Sequence, residues 1–274
     1  MITRLVEDGQ LQEAREHLNE ELARKGETPD TLYLEALILF KQKQFEKSAG
    51  KLKRGLTLRK DDPEAYLLLA RNAVVLNQME LAETALKMSI QLAPNAPLAH
   101  LHLGLFFFTT NRFSLAENEF QTVTKLDPSY MKGYDLLGLA QEELQRTEVI
   151  IATYQKAIEL ADQQHLHDES PYLHLVKYLW RKNRFPESLP LAQRAVEVNP
   201  KSTEAYYVLG MVLDKLGQTE QSVKALQQST QIDSQNAEAH YLLSRIYLKQ
   251  GKQEEAQKEM QIFKETRKNV KDSP

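Results

Sequence analysis

The sequence contains no cysteine, one tryptophan and no apolar run that approaches the roughly 18 residues of a membrane span. Without cysteine, disulfides, thiolate metal sites and a cysteine nucleophile are excluded. The N-terminal residues MITRLVEDGQ carry two acidic side chains where a secretory signal needs an apolar run. The formal net charge of −3 gives no overall basic field for nucleic acid or an anionic membrane. We therefore expect a soluble, cytoplasmic chain without membrane insertion, or a periplasmic one if an upstream signal has been removed.

A 34-residue period runs through the chain. One series of apolar residues keeps this spacing except for a single step of 38: Leu58, Leu92, Leu126, Leu160, Val198 and Ile232. A second series, of tyrosine and histidine, also contains one step of 38: Tyr66, His100, Tyr134, Tyr172, Tyr206 and His240. The two series agree on the period and on the place of a four-residue insertion, so the chain is built of repeats.

Each repeat has the pattern of two helices. Tyr206, Leu209 and Leu213 follow the i, i+3, i+7 spacing of one helical face, and a second amphipathic stretch runs from Glu220 to Ile232. Between the two helices lies a turn position that is Gly or Asn in six of eight repeats, and these residues tolerate the left-handed conformation. The eight positions are Gly9, Lys43, Asn77, Asn111, Gln145, Asn183, Gly217 and Gly251. No strand-like alternation occurs, so the predicted fold is all-α.

The stretches YYVLGMVLDKLGQTEQSVKALQQSTQID and HLHLGLFFFTTNRFSLAENEFQTVTKLDP resemble the tetratricopeptide repeat family. The resemblance implies a single right-handed superhelical solenoid of antiparallel helix pairs. The predicted ranges are a partial repeat at 1–28, repeats at 29–62, 63–96, 97–130, 131–168, 169–202, 203–236 and 237–270, and a tail at 271–274. The partial first repeat favours a fragment of a longer protein or a degenerate cap, and the plain repeats without cysteine favour a bacterial source.

The insertion lies in the segment ADQQHLHDESP, at the end of the repeat 131–168. In that repeat Gln141 replaces the expected aromatic residue and Ile150 the expected small one. Four residues add about 400° of helix, so the second helix is either one turn longer or followed by a loop. In both cases we expect the curvature to change here and to divide the solenoid into two functional halves.

Three consecutive phenylalanines, Phe106, Phe107 and Phe108, sweep about 200° of a helix, which is wider than one core-facing stripe. The family resemblance implies that first helices line a concave groove, with Phe107 inside its own helix pair, Phe106 between repeats and Phe108 in the groove. The other apolar groove positions of the N-terminal half are Tyr33, Leu37, Phe40, Leu67, Val74, Val75, Leu101 and Leu105. Such a surface predicts a contact site, unless a tightly curved superhelix or a preceding repeat covers it.

Groove positions of the C-terminal half interleave cations with aromatic residues: Lys177, Trp180, Arg181, Tyr207, Lys215, Tyr241, Arg245 and Lys249. An acidic stretch, Asp135, Glu142 and Glu143, precedes them. The cationic surface suits a carboxylate, a phosphate or an acidic peptide, although an ordinary solvated face has the same composition. The carboxylate clamp of chaperone-binding family members is incomplete, because Met211 stands where an asparagine is expected.

Catalytic chemistry has little support. His165 and His167, like His100 and His102, are spaced i, i+2 and diverge on a helix, and His100 holds the aromatic position of a repeat, which favours a packed core residue. No Gly-rich phosphate loop, nucleophile elbow or H-E-x-x-H motif occurs. The prediction is a non-enzymatic interaction scaffold without cofactor or metal, which binds an extended or helical partner segment in its groove and no nucleic acid. The alternatives are a self-assembling homo-oligomer and a regulatory module of a larger enzyme or of a secretion or pilus assembly complex.

Overall fold

The computed structural model describes residues 1–271, with side chains for residues 1–268, so the end of the predicted tail lies outside the described residues. Residues 1–271 form sixteen α-helices and no strand, which confirms the all-α prediction. The contacts divide the chain into two compact units: unit 1, Met1–Pro128, and unit 2, from Ser129 onward. Within each unit, consecutive helices pack as pairs.

Unit 1 contains α1 (Ile2–Glu7), α2 (Leu11–Lys25), α3 (Pro29–Lys41), α4 (Phe45–Leu58), α5 (Pro63–Val75), α6 (Met79–Leu92), α7 (Pro97–Thr109) and α8 (Phe113–Leu126). Unit 2 contains α9 (Met131–Glu143), α10 (Ile150–Gln163), α11 (Ser170–Arg181), α12 (Phe185–Val198), α13 (Thr203–Lys215), α14 (Thr219–Ile232), α15 (Ala237–Lys249) and α16 (Gln253–Lys271).

All eight predicted turn positions adopt positive φ angles, including the two that are neither Gly nor Asn. Lys43 has φ of 60° and Gln145 has φ of 56°, a conformation that costs an ordinary residue roughly 1–2 kcal/mol. Backbone hydrogen bonds close the turn around Lys43: its N–H donates to the Phe40 carbonyl at 3.0 Å, and the Gln44 N–H to the Leu39 carbonyl at 2.9 Å. The repeat geometry therefore imposes the left-handed turn on whichever residue occupies the position.

Small residues set the distance between the two helices of a pair. A Cβ atom added to Gly104 in α7 would lie 2.5 Å from the ring of Phe120 in α8. At equivalent places, the hydroxyl of Ser48 donates to the Ala36 carbonyl at 2.7 Å, and that of Ser222 to the Gly210 carbonyl at 2.7 Å. Serine thus satisfies its buried hydroxyl with a carbonyl of the facing helix, so it serves as well as alanine at these contacts.

The four inserted residues shift the second helix and lengthen the loop that follows it. Helix α10 spans 14 residues, as α8 does, but α8 ends at Leu126, whereas α10 continues three residues past the equivalent Leu160 to Gln163. Residues 164–169 form the loop before α11. The chain leaves α10 through His165, which has φ of 52°, and the Ser170 N–H donates to Asp168 Oδ1 at 2.9 Å where α11 begins. The boundary between units 1 and 2 lies earlier, after Pro128 and before α9, rather than at this loop.

Candidate functional site

The apolar surface predicted for the N-terminal half is smaller than expected. Leu37, Leu67 and Leu101 are 8%, 6% and 6% exposed, so they belong to the core of unit 1 and do not form a binding surface. The helices that flank α3, α5 and α7 cover side chains at this register, and leucine gains stability from that burial. The predicted residues that remain partly accessible are Tyr33, Phe40, Leu105 and Phe108, and Val74 and Val75 are exposed.

The three consecutive phenylalanines divide between core and surface. Phe106 and Phe107 are each 4% exposed, with their ring centroids 6.1 Å apart. The side chain of Arg112 covers both rings, with its Cζ atom 4.5 Å from the centroid of Phe107. Phe108 stays half-buried and packs edge-on against Phe113, with centroids 5.4 Å apart.

Arg71, which was not among the predicted groove positions, lies among these partly accessible residues. It stands in α5, 34 residues from both Leu37 and Leu105, and its Cζ atom lies 4.6 Å from the centroid of the Phe40 ring. The Arg71 side chain is half-buried and forms no ion pair or side-chain hydrogen bond with residues 1–268. Comparing each leucine with its equivalents one repeat away would have revealed this charged exception.

The pKa values around Arg71 are shifted by burial. Burial, aided by the carboxylates of Glu64 and Asp62, raises the pKa of Tyr33 to about 12. Burial and then the positive charge of Arg71 lower the pKa of His102 to about 4, and burial lowers the pKa of Arg71 itself. We call Tyr33, Phe40, Arg71 and His102 the Arg71 site. At neutral pH it combines one unneutralised cation with a neutral imidazole and a protonated phenol.

A cleft of about 520 Å³ opens in unit 2, formed by helices α11, α13, α15 and α16. We call it the C-terminal cleft; its lining residues are Trp180, Tyr207, Met211, Asp214, Lys215, Glu238, Tyr241, Leu242, Arg245, Phe263 and Arg267. The structure therefore brings together five residues predicted from the sequence: Trp180, Tyr207, Lys215, Tyr241 and Arg245.

Aromatic rings and cations alternate along this cleft. The rings of Tyr241 and Phe263 pack with centroids 5.1 Å apart. Three cations lie over rings: Arg245 at 5.9 Å from Tyr241, Arg267 at 5.7 Å from Phe263, and Lys215 at 5.6 Å from Trp180. None of the three cations forms an ion pair within residues 1–268. Together they give the cleft a positive, ring-lined surface that suits carboxylates beside apolar groups.

The other predicted cations of the C-terminal half are neutralised. Lys177 pairs with Glu204 of α13, and Arg181 pairs with Glu142 of α9. Lys249 lies 3.5 Å from Asp214. Carboxylates on neighbouring helices therefore balance the charge of each of these three cations, and their predicted role in partner binding stays a prediction.

The acidic stretch of α9 is likewise engaged within unit 2. Asp135 is fully buried, and it accepts from Lys132 Nζ at 3.2 Å and lies 2.6 Å from His174 Nδ1. Glu142 accepts the phenol proton of Tyr154 at 2.6 Å as well as pairing with Arg181. Of the three acidic residues, only Glu143 is exposed.

Phe263 and Arg267 were missed because they lie on α16, a second helix of its repeat, which the resemblance placed outside the groove. A signal was present in the sequence: Phe263 and Arg267 repeat the i, i+4 aromatic–cation spacing of Tyr241 and Arg245.

Other predicted sites have structural roles or none. His100 is 8% exposed, with Nδ1 2.7 Å from Glu119 and Nε2 2.9 Å from the Pro94 carbonyl, so it is a packed core residue as predicted. Within the described residues, no group of three or more His, Asp or Glu side chains is placed to hold a metal ion. No helix within residues 1–271 combines the length and apolarity needed to cross a membrane.

Family models match most of the sequence. Models described as tetratricopeptide repeat match residues 1–65, 33–97, 67–130 and 132–164. A model described as anaphase-promoting complex, cyclosome, subunit 3 matches residues 181–261. No curated protein sequence matches the chain.

Solved structures share the fold at low sequence identity. A chain of the APC/C hetero-tetramer Cut9-Hcn1 aligns with a TM-score of 0.69 and 14% identity, over 89% of this chain and 48% of that one. A tetratricopeptide repeat protein from Parabacteroides merdae aligns with a TM-score of 0.66 and 13% identity, over 87% and 93% of the two chains. YrrB, described as a TPR protein with an unusual peptide-binding site, aligns at 0.53 and 18%, over 70% and 96%. This chain thus spans about half the length of the Cut9-Hcn1 chain that it matches.

The helix pairs, the left-handed turns and the family models all indicate the same repeat family. Over more than half of its length the sequence matches models of a single family, and the architecture is that of the family's solenoids. The chain belongs to the tetratricopeptide repeat family.

Proposed function

We propose that the chain binds an acidic, partly apolar segment of another protein in the C-terminal cleft. Tetratricopeptide repeats form protein–protein interaction scaffolds, and the surface and partner chemistry differ from one such scaffold to another. The observation that carries the proposal is the set of three cations, Lys215, Arg245 and Arg267, that lie beside aromatic rings without a carboxylate partner in residues 1–268.

The shape and composition of the cleft support a peptide rather than a small metabolite. Its residues come from four helices along the unit, so an extended or helical segment can contact several of them in succession. Tyr241 is 42% exposed, which leaves part of its side chain available to an apolar side chain of the partner. Burial and the nearby Glu238 raise the pKa of Tyr207, so its phenol remains a hydrogen-bond donor at neutral pH. The peptide-binding site named for YrrB supports the idea that this framework carries such sites.

A peptide-display selection on the full chain tests the proposal. We expect the enriched peptides to carry Asp or Glu beside aromatic or aliphatic residues. Arg245→Gln and Arg267→Gln should each weaken binding of a selected peptide roughly tenfold, because each removes a charge-assisted contact. Lys258→Gln removes the same charge from α16 outside the cleft and should leave the affinity unchanged. Peptides without acidic residues, or equal affinities for all three variants, would contradict the proposal.

Self-association is the alternative function. It requires a solution mass above the 31.5 kDa of one chain in the absence of any ligand, which light scattering measures directly. A regulatory module of a larger enzyme or assembly complex would use the same cleft, with the partner segment supplied by that assembly.

A further inference from the structure

Arg71 differs from every other arginine of unit 1. The other six each lie within ion-pair distance of a carboxylate within the described residues: Arg4, Arg15, Arg24, Arg54, Arg59 and Arg112. Arg71 has no such partner in residues 1–268, although it is less exposed than Arg4 or Arg24. A guanidinium that is partly removed from water and left unpaired costs folding free energy, so a ligand that neutralises it recovers that loss.

The neighbours of Arg71 hold it in place without neutralising it. Its Cζ atom lies 4.6 Å from the centroid of Phe40, whose ring packs edge-on against Phe45 with centroids 5.4 Å apart. Tyr33 on α3 and His102 on α7 are close enough to interact electrostatically with Arg71, and neither carries a negative charge at neutral pH. The acids that act on Tyr33 are Glu64, Asp62 and Glu7, and Asp62 already accepts from Arg59 and from the Ala65 N–H.

Apolar side chains continue on the same face of α5. Val74 and Val75 follow Arg71 by three and four residues, and they are 41% and 53% exposed. Leu105 and Phe108 of α7 add partly accessible apolar surface at the equivalent positions of the next repeat. A ligand for this surface needs one anionic group to meet the guanidinium and apolar groups to cover the valines.

We propose that the Arg71 site binds the carboxylate of an Asp or Glu side chain in an otherwise aliphatic segment of a partner protein. The carboxylate accepts two hydrogen bonds from the planar guanidinium, and the flanking aliphatic side chains pack on Val74 and Val75. The inference rests on the proposed function only in taking a protein segment as the occupant, since it uses a different unit and different residues.

Matched peptides test the inference on the full chain. The probes are peptides from a display selection on the wild-type chain, each synthesised with its acidic residue and with the corresponding amide. Arg71→Leu is the test variant, because leucine occupies the equivalent positions 37 and 105 and is compatible with the fold. Arg24→Leu is the control, since it removes an exposed arginine of α2 outside the site.

We expect a double-mutant cycle to show strong coupling between the peptide carboxylate and Arg71. Changing Glu to Gln in the peptide should weaken binding to the wild type and to Arg24→Leu at least tenfold, and should have no effect with Arg71→Leu. The inference is overturned if Glu and Gln peptides bind the wild type equally, or if the preference for Glu persists in Arg71→Leu.

A second variant separates this inference from the proposed function. If the preference for Glu disappears in the Arg245→Gln, Arg267→Gln double variant but persists in Arg71→Leu, the acid binds in the C-terminal cleft, and only the Arg71 inference fails. If no peptide binds, both proposals fail. If Arg71→Leu instead abolishes a concentration-dependent mass above 31.5 kDa, the occupant is a second copy of the chain and the inference is also wrong.

Discussion

The Arg71 site of unit 1 and the C-terminal cleft of unit 2 place the same pair of residue types at the same repeat register. Tyr33 and Arg71 are 38 residues apart, and so are Tyr207 and Arg245. Both arginines lie over an aromatic ring, and neither has a carboxylate partner within residues 1–268. The sites differ at the position of Phe40, which is Asp214 in unit 2, 174 residues later. Phe40 covers Arg71 with a ring, whereas Asp214 pairs with Lys249.

Ion pairing decides which cations of the repeat register are available to a partner. Lys177 occupies the same register position as Arg71 and Arg245, but Glu204 neutralises it. The Arg71 site thus has one half-buried cation in an apolar setting, and the C-terminal cleft has three exposed ones beside aromatic rings. The first arrangement suits a single acid among aliphatic residues, and the second suits several acids with aromatic residues.

Of the changes that test the difference between the two sites, reversing a charge in the C-terminal cleft should have the largest effect on peptide affinity. Arg245→Glu removes an attraction and adds a repulsion, so affinity for a cleft-selected acidic peptide should fall about 100-fold, while Glu-dependent binding at the Arg71 site is unchanged. Fluorescence anisotropy with both peptides measures the two affinities. Lys258→Glu makes the same change in net charge outside the cleft. If it weakens the cleft peptide as much as Arg245→Glu does, long-range charge rather than the cleft accounts for binding.

The close helix pairs of the two units should respond to the same substitution to different degrees. In Gly104→Ala the new Cβ would lie 2.5 Å from the fully buried ring of Phe120, and in Gly210→Ala 2.6 Å from Leu226 Cγ. We expect losses of about 1–3 kcal/mol in the free energy of unfolding, larger for Gly104→Ala because a ring yields less than a leucine side chain. Urea denaturation followed by circular dichroism measures both.

Gly50→Ala is the matched control for this pair. Gly50 lies within α4, and an added Cβ meets no atom within 4 Å, so alanine should stabilise the chain by about 0.5–1 kcal/mol. If Gly104→Ala unfolds at the same urea concentration as Gly50→Ala, the helix pairs of unit 1 are more plastic than the packing of Phe120 implies.

Repeat periodicity made the helices and turns predictable, because they depend on local spacing and on backbone geometry that every repeat shares. Lys43 and Gln145 show the strength of that constraint, since both take the left-handed turn against their intrinsic preference. Whether a groove residue is exposed or buried was harder to predict from the sequence. Leu67 and Leu101 were expected at the surface, and only the packing of neighbouring helices reveals that they are buried.

Side-chain pairing was also beyond the sequence. Arg181 and Glu142 are 39 residues apart and Lys177 and Glu204 are 27 apart, so no fixed spacing identifies the partner. The cations that remain unpaired could therefore be recognised only once the helices were placed in space. Five members of the C-terminal cleft were predicted nonetheless, because first-helix register alone determined their direction.

A rise in ionic strength should also weaken peptide binding at the two sites to different degrees, but by a smaller factor than the charge reversal. The cations of the C-terminal cleft are exposed, whereas Arg71 is half-buried, and salt screens exposed charges more effectively. Raising sodium chloride from about 0.05 M to about 0.5 M should weaken the cleft peptide roughly tenfold and the Arg71-dependent peptide roughly threefold or less. Equal slopes of log affinity against log salt would show that the two sites do not differ in solvation.

The smallest expected effect is a change in the titration of His102. Its pKa of about 4 arises first from burial and then from Arg71. Arg71→Leu removes the second cause, so the pKa should rise but stay below the ordinary value of 6.5. Proton NMR of the His102 ring across pH 3–8 measures the shift, and Arg24→Leu should leave it at about 4.

The lowered pKa of His102 also makes the free energy of unfolding depend on pH. Between pH 6.5 and about 4 the unfolded chain binds a proton at His102 that the folded chain does not, so the free energy of unfolding decreases as the pH falls through this window. Arg71→Leu raises the folded-state pKa of His102 and so narrows this pH range, and the acid-induced loss of stability should become smaller. No histidine lines the C-terminal cleft, so Arg245→Gln should not alter this pH dependence. An unchanged pKa of His102 in Arg71→Leu would mean that the two side chains do not share a site, and the Arg71 inference would lose its geometric basis.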